Sequence, residues 1–232
     1  MRIVKKIKIY IKLKIIFVKD LIEGNLFKFA TKQKSNIRYN SAITIKQEIK
    51  PSETFENKIF NLSKASKKIN EYDIMPGELF SFWKIVGNPK NQFKKGRTLL
   101  NGKIIEEIGG GICQVSGIVY NVSLIAGLQI IERYNHSVDI YTDETRFAPL
   151  GLDATVVFGY KDLRIKNNYN FPVKFEIQVH KNEIKIELLS TNEIKENKLF
   201  FEKEFIEEDI IVKIKNDNNE LVNSSKYKKN IR

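Results

Sequence analysis

The chain has 232 residues and a mass of 27.0 kDa, which suits one domain of ordinary size or one domain with a short appendage. Apolar residues make up 42% of the sequence, which excludes wholesale disorder, and a single cysteine excludes a disulfide framework and a multi-cysteine metal site. Because uninterrupted apolar runs fall well short of the ~20 residues that cross a bilayer, we do not expect an integral membrane protein.

Positive charge is concentrated near the N-terminus. The formal net charge is +12, and residues 1–38 hold eleven basic side chains against Asp20 and Glu23, a net +9. A basic arm on a nearly neutral body favours an anionic partner, which is a membrane surface or a nucleic acid. A general lysine bias of the sequence explains the excess equally well. No helix-turn-helix, RRM or OB-fold signature is legible, so nucleic acid is the less favoured partner.

Residues 1–22 alternate basic and apolar side chains, and two periods compete. KIKIYIKLKI alternates as a strand would, but an apolar set continues at helical spacing for six turns and favours a helix. That set is Ile3, Ile7, Ile11, Ile15, Val18 and Ile22. We expect a basic amphipathic helix that lies on an anionic membrane or packs against the body. Lysines interrupt every candidate signal-peptide core, which predicts a cytoplasmic protein or one peripheral to the inner membrane face.

The next hundred residues alternate between strand and helix patterns. SAITIKQEI (41–49) is typical of a strand, the apolar spacing after Pro51 indicates a helix, GELFSFWKIVG (77–87) predicts a strand, and NGK (101–103) predicts a hairpin turn.

Residues 109–127, GGGICQVSGIVYNVSLIAG, combine three glycines with an apolar helical repeat that Gly127 closes as a C-cap. Short strands are predicted beyond it: LQIIERY, VDIYT, ATVVFGY, DLRIKNN, a hairpin of VKFEIQVH (173–180) with EIKIELL (183–189), and one more strand pair around NDNN (216–219) before a polar tail. We therefore expect a single α+β domain with two or three helices, including the Cys-bearing one, on an antiparallel sheet formed mainly by residues 128–189.

Cys113 follows the glycines at the predicted first turn of a helix. Unpaired N–H groups and the positive end of the helix dipole favour a thiolate there. The N–H groups of Gly109, Gly110 and Gly111 are candidates for an oxyanion hole. Two other interpretations stay open: a lone cysteine on an apolar helix is commonly a buried hydrophobe, and a glycine run also serves tight packing or phosphate binding.

A thiolate needs a partner base, and the chain has two histidines. His180 falls on the polar side of its strand and is expected to be solvated, whereas His136 lies at a break between two predicted strands. A helix-borne cysteine followed by a strand-borne histidine is the arrangement of papain-like and transglutaminase-like thiol enzymes. Asp153 is the first candidate for an orienting third group, with Asp139 and Asp162 as rivals. Neither a nucleotide motif nor a zinc pattern is present, so no metal and no cofactor are expected.

Three segments resemble the VanW family: PGELFSFWKIVG (76–87), GGGICQVSGIVYNVSLIAGLQIIERYNHSVD (109–139) and ATVVFGYKDLRIKNN (154–168). Its hallmark is GGG-(I/M)-C-Q-(V/L/M)-S followed by ER-x-x-H-S and D-L-x-x-x-N. The resemblance covers a VanW-like domain at 41–190. The charge pattern sets off a basic amphipathic segment at 1–38, and the strand pattern gives a strand pair with a polar tail at 191–232.

The resemblance implies a cysteine-dependent L,D-transpeptidase-like reaction on peptidoglycan, with Cys113 as nucleophile and His136 as base. Gly109, Gly110, Gly111 and Gln114 are then assigned to the substrate and the oxyanion. The third role stays open between Asp153 and Asp162, because Asp162 and Arg164 also fit a structural ion pair on one strand face. A peptide or a peptidoglycan precursor is the expected substrate.

Two classes of function remain. The first is thiol acyl transfer on a cell-wall peptide, linked to peptidoglycan metabolism or glycopeptide resistance. The second is a non-catalytic accessory domain that binds a peptide or precursor at the membrane surface. Reactivity of the Cys113 thiol discriminates between them, because a cysteine sealed in the core is inert to alkylation.

Overall fold

A computed structural model describes residues 2–32, 36–100, 103–139, 146 and 148–229. Its helices in chain order are α1 (Arg2–Ile22), α2 (Phe55–Ile69), α3 (Phe82–Val86) and α4 (Cys113–Ile125). Its strands are β1 (Ser41–Glu48), β2 (Leu79–Ser81), β3 (Lys95–Leu100), β4 (Lys103–Ile108), β5 (Gln129–Glu132), β6 (Val138–Asp139), β7 (Arg164–Lys166), β8 (Val173–Val179), β9 (Glu183–Ser190), β10 (Phe200–Ile206), β11 (Asp209–Lys215) and β12 (Leu221–Lys229).

The central sheet has the antiparallel order β1-β9-β8. Its strands alternate buried apolar residues with more exposed polar ones, as in Val173, Phe175 and Ile177 of β8. Only one face is therefore apolar, and the helices cover it: α2 packs on β8, and α4 packs on β1 and β9. The predicted strand at 41–49, the helix after Pro51 and the hairpin at 173–189 are confirmed.

Helix α4 is the core of the molecule. Its residues from 114 to 124 are all buried, which fits a helix that is apolar on nearly every side. It ends in a Schellman motif: the N–H of Gly127 bonds the carbonyl of Leu124 at 3.1 Å, and the N–H of Leu128 bonds that of Ser123 at 2.9 Å. The φ of +66° at Gly127 explains why glycine stands there. The predicted helix and its C-cap are confirmed.

Three further sheets pack around this core. β2-β7-β5 is antiparallel, and β3 pairs with β4 as the predicted hairpin, whose residues 101–102 lie outside the described part. The fourth sheet, β10-β11-β12-β6, ends in a parallel pairing of β12 with Val138–Asp139. The strand pair predicted around NDNN is confirmed as β11 and β12. β10 was not predicted, because every residue in it is exposed and its sequence lacks an alternating apolar face.

Two strand predictions were wrong. In 77–87 only Leu79–Ser81 is a strand, because the Ser81 hydroxyl accepts from the N–H of Lys84 at 3.3 Å and so caps the short helix α3. ATVVFGY (154–160) is an irregular segment with a turn, closed by a bridge between Val157 and Lys161. The VDIYT strand is found only at 138–139, since residues 140–145 lie outside the described part. The α+β class is confirmed, while the papain-like or transglutaminase-like core stays a prediction.

Helix α1 forms as predicted, but the predicted apolar face does not pack on the body. The opposite side does: Ile9 and Leu13 lie against Gly159, and Asp20 is buried in an ion pair with Arg164 at 2.6 Å. Within the described residues, no helix is both long enough and apolar enough to cross a membrane. The predicted helix is therefore confirmed. The side of α1 that faces the body is set by its contacts with Gly159 and Arg164 rather than by the apolar stripe of the helix.

Candidate functional site

A tight glycine turn (residues 109–111) delivers the chain into α4 at Cys113. Gly109 and Gly111 have φ values of +86° and +93°, which disfavour any side chain. Gly110 crosses β3 so closely that an added Cβ would lie 2.1 Å from the backbone carbon of Gly96. The amide of Asn61 fixes the turn by donating to the Gly110 carbonyl at 2.9 Å. The glycines thus permit close backbone packing that holds the start of α4 in place.

The N–H groups of this turn divide into bonded and unbonded ones. The N–H of Gly109 donates to the Lys94 carbonyl at 3.0 Å, and that of Gly110 donates to the Glu107 carbonyl at 3.1 Å. Within the described part of the chain, the N–H groups of Gly111 and Cys113 have no acceptor. These two, at the positive end of α4, are the donors still able to bind an anion.

His136 and Asp153 form a doubly bonded pair. Oδ2 of Asp153 accepts from the backbone N–H of His136 at 2.7 Å and lies 2.6 Å from its ring Nδ1. Both side chains are largely buried. A proton on Nδ1 facing the carboxylate leaves Nε2 to face another group. The carboxylate therefore fixes the ring orientation and favours a proton on Nδ1.

The charges of this pair are strongly shifted. Burial lowers the pKa of His136, but the bond to Asp153 and the interaction with Cys113 outweigh it and raise that pKa to about 10. Burial likewise raises the pKa of Asp153, while His136 and then Arg133 lower it to about 2. At neutral pH the pair is an imidazolium bound to a carboxylate, beside the cysteine.

The thiol of Cys113 lies at the edge of the core. It is half-buried, and Sγ is 3.9 Å from the carbonyl oxygen of Val156. The Ser116 hydroxyl donates to the Ala154 carbonyl at 2.6 Å, which ties α4 to the segment that carries Asp153. The structure therefore brings Cys113, His136 and Asp153 into one cluster from three parts of the chain.

Three further residues of the cluster were missed by the sequence analysis. Arg133 donates to Oδ1 of Asp153 at 3.0 Å and to the Ser225 hydroxyl at 2.5 Å. The Tyr227 hydroxyl donates to the same Oδ1. Arg133 was visible in the sequence as the arginine of the ER-x-x-H-S pattern. Ser225 and Tyr227 left no signal, because they are remote from Asp153 in sequence, by 74 residues for Tyr227, and only the tertiary fold brings β12 beside it.

The rival carboxylates lie elsewhere. Asp162 accepts from the Ser81 hydroxyl at 2.5 Å and pairs with Nε of Arg164 at 3.3 Å, which is the ion pair weighed in the sequence analysis. Asp139 pairs with Arg146 at 2.5 Å. Of the three candidates, only Asp153 contacts His136. His180 is exposed at the end of its strand, as predicted.

Gln114 faces away from the thiol. Its Nε2 donates to the Glu48 carbonyl of β1 at 2.8 Å, and its Oε1 is buried without a hydrogen-bond partner. Gln114 therefore anchors α4 to the central sheet.

A half-buried lysine lies against the glycine turn. An added Cβ on Gly111 would lie 2.7 Å from Cγ of Lys58, so the stem of this side chain covers the glycine. Burial, and then the charge of Arg97, lower the pKa of Lys58 to about 8. Among the described residues, no carboxylate pairs with it. Two cations, Lys58 and Arg97, thus lie close to the turn that precedes Cys113.

Comparison with known proteins gives a consistent match. A family model described as "VanW like protein" matches residues 57–189. The chain is 40% identical to Vancomycin B-type resistance protein VanW of Enterococcus faecalis over 115 residues, which is 49% of this chain and 42% of that protein. It is 37% identical to Uncharacterized protein YoaR of Bacillus subtilis over 136 residues, 58% of this chain and 43% of that protein.

This chain spans less than half the length of either relative. No solved structure gives a significant match. The family model covers more than half of the chain and includes the glycine turn, Cys113, His136 and Asp153. The chain therefore belongs to the VanW family.

Proposed function

We propose that this protein is a cysteine-dependent acyl transferase of the L,D-transpeptidase type that acts on a cell-wall peptide. The observation that carries the proposal is the His136–Asp153 pair beside Cys113, at the N-terminal end of α4. An imidazolium next to a cysteine favours the thiolate, which is the nucleophilic form. The cell-wall substrate is inferred from family membership and from the name of the E. faecalis relative, a vancomycin resistance protein.

The proposed reaction gives each of these groups a role. Sγ of Cys113 attacks the acyl carbonyl of the donor peptide, and the N–H groups of Gly111 and Cys113 stabilise the oxyanion. As the carbon–nitrogen bond breaks, His136 gives its proton to the leaving amine, and a thioester remains on Cys113. An acceptor amine then attacks the thioester, loses a proton to His136, and releases the new amide with the free thiolate.

Lys58 indicates the kind of donor that fits. Its ammonium group, together with Arg97, places positive charge next to the glycine turn. A carboxylate on the donor peptide, near the bond that is cleaved, would neutralise that charge. We therefore infer that the substrate is an anionic peptide rather than a neutral one.

The test is alkylation of Cys113 in the purified protein as a function of pH, beside His136→Ala. An ordinary thiol has a pKa of about 8.5, so fast labelling well below that pH, slowed at least tenfold in the variant, supports the activated pair. Peptidoglycan stem peptides are then incubated with the protein and with Cys113→Ala, and mass spectrometry follows the cross-linked product. Product formed equally by Cys113→Ala would overturn the proposal.

A non-catalytic peptide-binding domain is the second candidate. It is favoured by the packing of Cys113 against the core cluster and by the contact of Sγ with the Val156 carbonyl. On this interpretation His136 and Asp153 are a structural ion pair, and the thiol labels only on denaturation. The same pH series therefore decides between the two candidates.

A further inference from the structure

Helix α1 presents a broad apolar face to solvent. Along one side of the helix, six residues at three- and four-residue spacing are each more than half exposed: Val4, Ile7, Ile11, Ile15, Val18 and Ile22. Tyr10, Phe17 and Leu21 widen the same face and are half or more exposed. So large a continuous apolar surface on a soluble body marks an interaction site.

The body already occupies the other side of this helix. Ile9 and Leu13 pack over Gly159, Lys12 lies 4.2 Å from the ring centre of Tyr160, and Asp20 pairs with Arg164. The helix is therefore held in a fixed orientation, and its apolar face points away from the protein.

The charge along α1 identifies the partner. Residues 2–22 carry seven basic side chains and one acid, Asp20, which is buried in its ion pair. Lys8 and Lys19 line one border of the apolar face, and Lys6 and Lys14 line or enter the other. Apolar side chains bordered by lysines suit the interface of an anionic bilayer, where the apolar face enters the acyl boundary and the lysines meet phosphates.

A second copy of the chain fits this face less well. Two such helices facing each other would bring lysine against lysine, because the exposed face of α1 carries no acid to neutralise them.

We propose that α1 docks this protein on an anionic membrane surface through this apolar face, with Lys6, Lys8 and Lys14 facing lipid headgroups. The docking geometry also positions the candidate site. Gly159, which seats α1, follows Val156, which contacts the Cys113 thiol, by three residues. Their Cα atoms are thus at most about 11 Å apart. A docked α1 therefore holds the cysteine close to the membrane surface.

The experiment is co-sedimentation of the full chain with phosphatidylcholine vesicles, with and without phosphatidylglycerol. Ile7→Ser/Ile11→Ser/Ile15→Ser removes apolar contact, and Phe200→Ser/Leu221→Ser, at exposed positions of β10 and β12, is its control. Lys6→Gln/Lys8→Gln removes charge, and Lys181→Gln/Lys198→Gln is its control. All these positions are exposed, so circular dichroism is expected to stay unchanged.

We expect binding to the anionic vesicles only, a loss of at least tenfold in the isoleucine variant, and a loss of about 25-fold in the lysine variant. Both controls are expected to bind like the parent chain. Equal binding to neutral vesicles, binding to neither, or a concentration-dependent dimer abolished by the isoleucine variant would overturn the proposal. Labelling of Cys113 in solution is independent of all these outcomes, so failure here does not count against the proposed function.

Discussion

A single oxygen of Asp153 makes two contacts with His136: Oδ2 lies 2.6 Å from the ring Nδ1 and accepts from the backbone N–H of the same residue at 2.7 Å. The second bond is the more informative one. A carboxylate that only neutralised the imidazole would allow the ring to turn about its side-chain torsions. Because Oδ2 is also fixed by the main chain, the ring is held in one orientation relative to Cys113, as an imidazolium paired with a thiolate requires.

The first prediction concerns Asp153→Asn. This change removes the negative charge that raises the pKa of His136, so that pKa is expected to fall towards its ordinary value. Alkylation of Cys113 at neutral pH is then expected to slow at least tenfold. The ring protons of His136, followed by NMR against pH, give the second readout. Asp162→Asn is the contrasting variant, since Asp162 does not contact His136. Equal slowing by both variants would contradict the assignment.

The second prediction is a bounded pH window of stability. The pKa of His136 is raised from 6.5 to about 10, so its stabilisation is complete below pH 6.5 and is lost as the pH rises to about 10. The pKa of Asp153 is lowered from 3.8 to about 2, so its stabilisation is complete above pH 3.8 and is lost as the pH falls to about 2. Urea unfolding of the parent chain and of His136→Gln measures the effect. Their difference in unfolding free energy is expected to shrink between pH 6.5 and 10, and a constant difference would refute this account.

A third prediction tests the contribution of β12. Tyr227→Phe deletes the hydroxyl that donates to Oδ1 of Asp153 and leaves the ring in place. A hydrogen bond to a charged group is worth about 1.5–3 kcal/mol, so the pKa of Asp153 rises and the carboxylate binds His136 less firmly beside Cys113. Tyr39→Phe is a matched control, because the Tyr39 hydroxyl donates to the carboxylate of Asp73 at 2.7 Å. A similar loss of stability in both variants, with slower alkylation of Cys113 at neutral pH only in Tyr227→Phe, is the expected pattern.

Two glycines of the same segment are expected to respond in opposite directions. Gly110→Ala would place a Cβ 2.1 Å from the Gly96 backbone, so the start of α4 must move, and we expect a loss of at least about 3 kcal/mol in unfolding free energy. Gly117 lies inside α4, and its nearest neighbour, the Leu152 carbonyl oxygen, is 3.7 Å from an added Cβ. Gly117→Ala is therefore expected to stabilise the protein by about 0.5–1 kcal/mol. Thermal unfolding compares the two variants directly, and an unchanged stability of Gly110→Ala would contradict the close packing of Gly110 against the Gly96 backbone.

The last prediction concerns the charge beside the glycine turn. Iodoacetate and iodoacetamide are similar in size, but only the first is an anion, so the ratio of their reaction rates with Cys113 measures attraction for a carboxylate. Lys58→Gln is expected to lower this ratio about fivefold. This factor corresponds to an interaction energy of about 1 kcal/mol between two unit charges at a partly exposed site. In the parent chain the ratio is expected to fall as the pH rises through about 8, where Lys58 loses its proton. Lys67→Gln, on the exposed side of α2, is the control. An unchanged ratio in Lys58→Gln would remove the anionic-substrate inference and leave the thiol chemistry standing.

Local pattern predicted much of the fold. The α2 and α4 helices, the β8–β9 hairpin and β1 each carry a clear period, and their neighbours in sequence cap or turn them. The failures lie where a tertiary contact overrides the period. Residues 154–160 alternate like a strand, yet Ala154 is bound by the Ser116 hydroxyl and Thr155 by the Tyr134 carbonyl, so no sheet pairing forms.

The candidate site was predictable to a similar depth. Cys113 and His136 stood out because the chain has one cysteine and two histidines, and one histidine fell on a polar strand face. The sequence could not choose among three aspartates, since that choice depends on which loop returns to His136. The apolar stripe of α1 could likewise be identified from the sequence, but not the direction in which it faces. That direction depends on the ion pair between Asp20 and Arg164, which are 144 residues apart along the chain.

The hydrogen bond between Tyr227 and Asp153 makes the complete site depend on a contact between distant parts of the chain. The two residues are 74 positions apart, and the donor lies on β12, which reaches the site through a long-range pairing with β6. Contacts of such large sequence separation form late in folding, after local helices and hairpins. In a chain that has packed around α4 before β12 is in place, Cys113 is present but Asp153 still lacks the hydrogen bond from Tyr227. The reactivity of Cys113 is therefore expected to depend on whether β12 is in place.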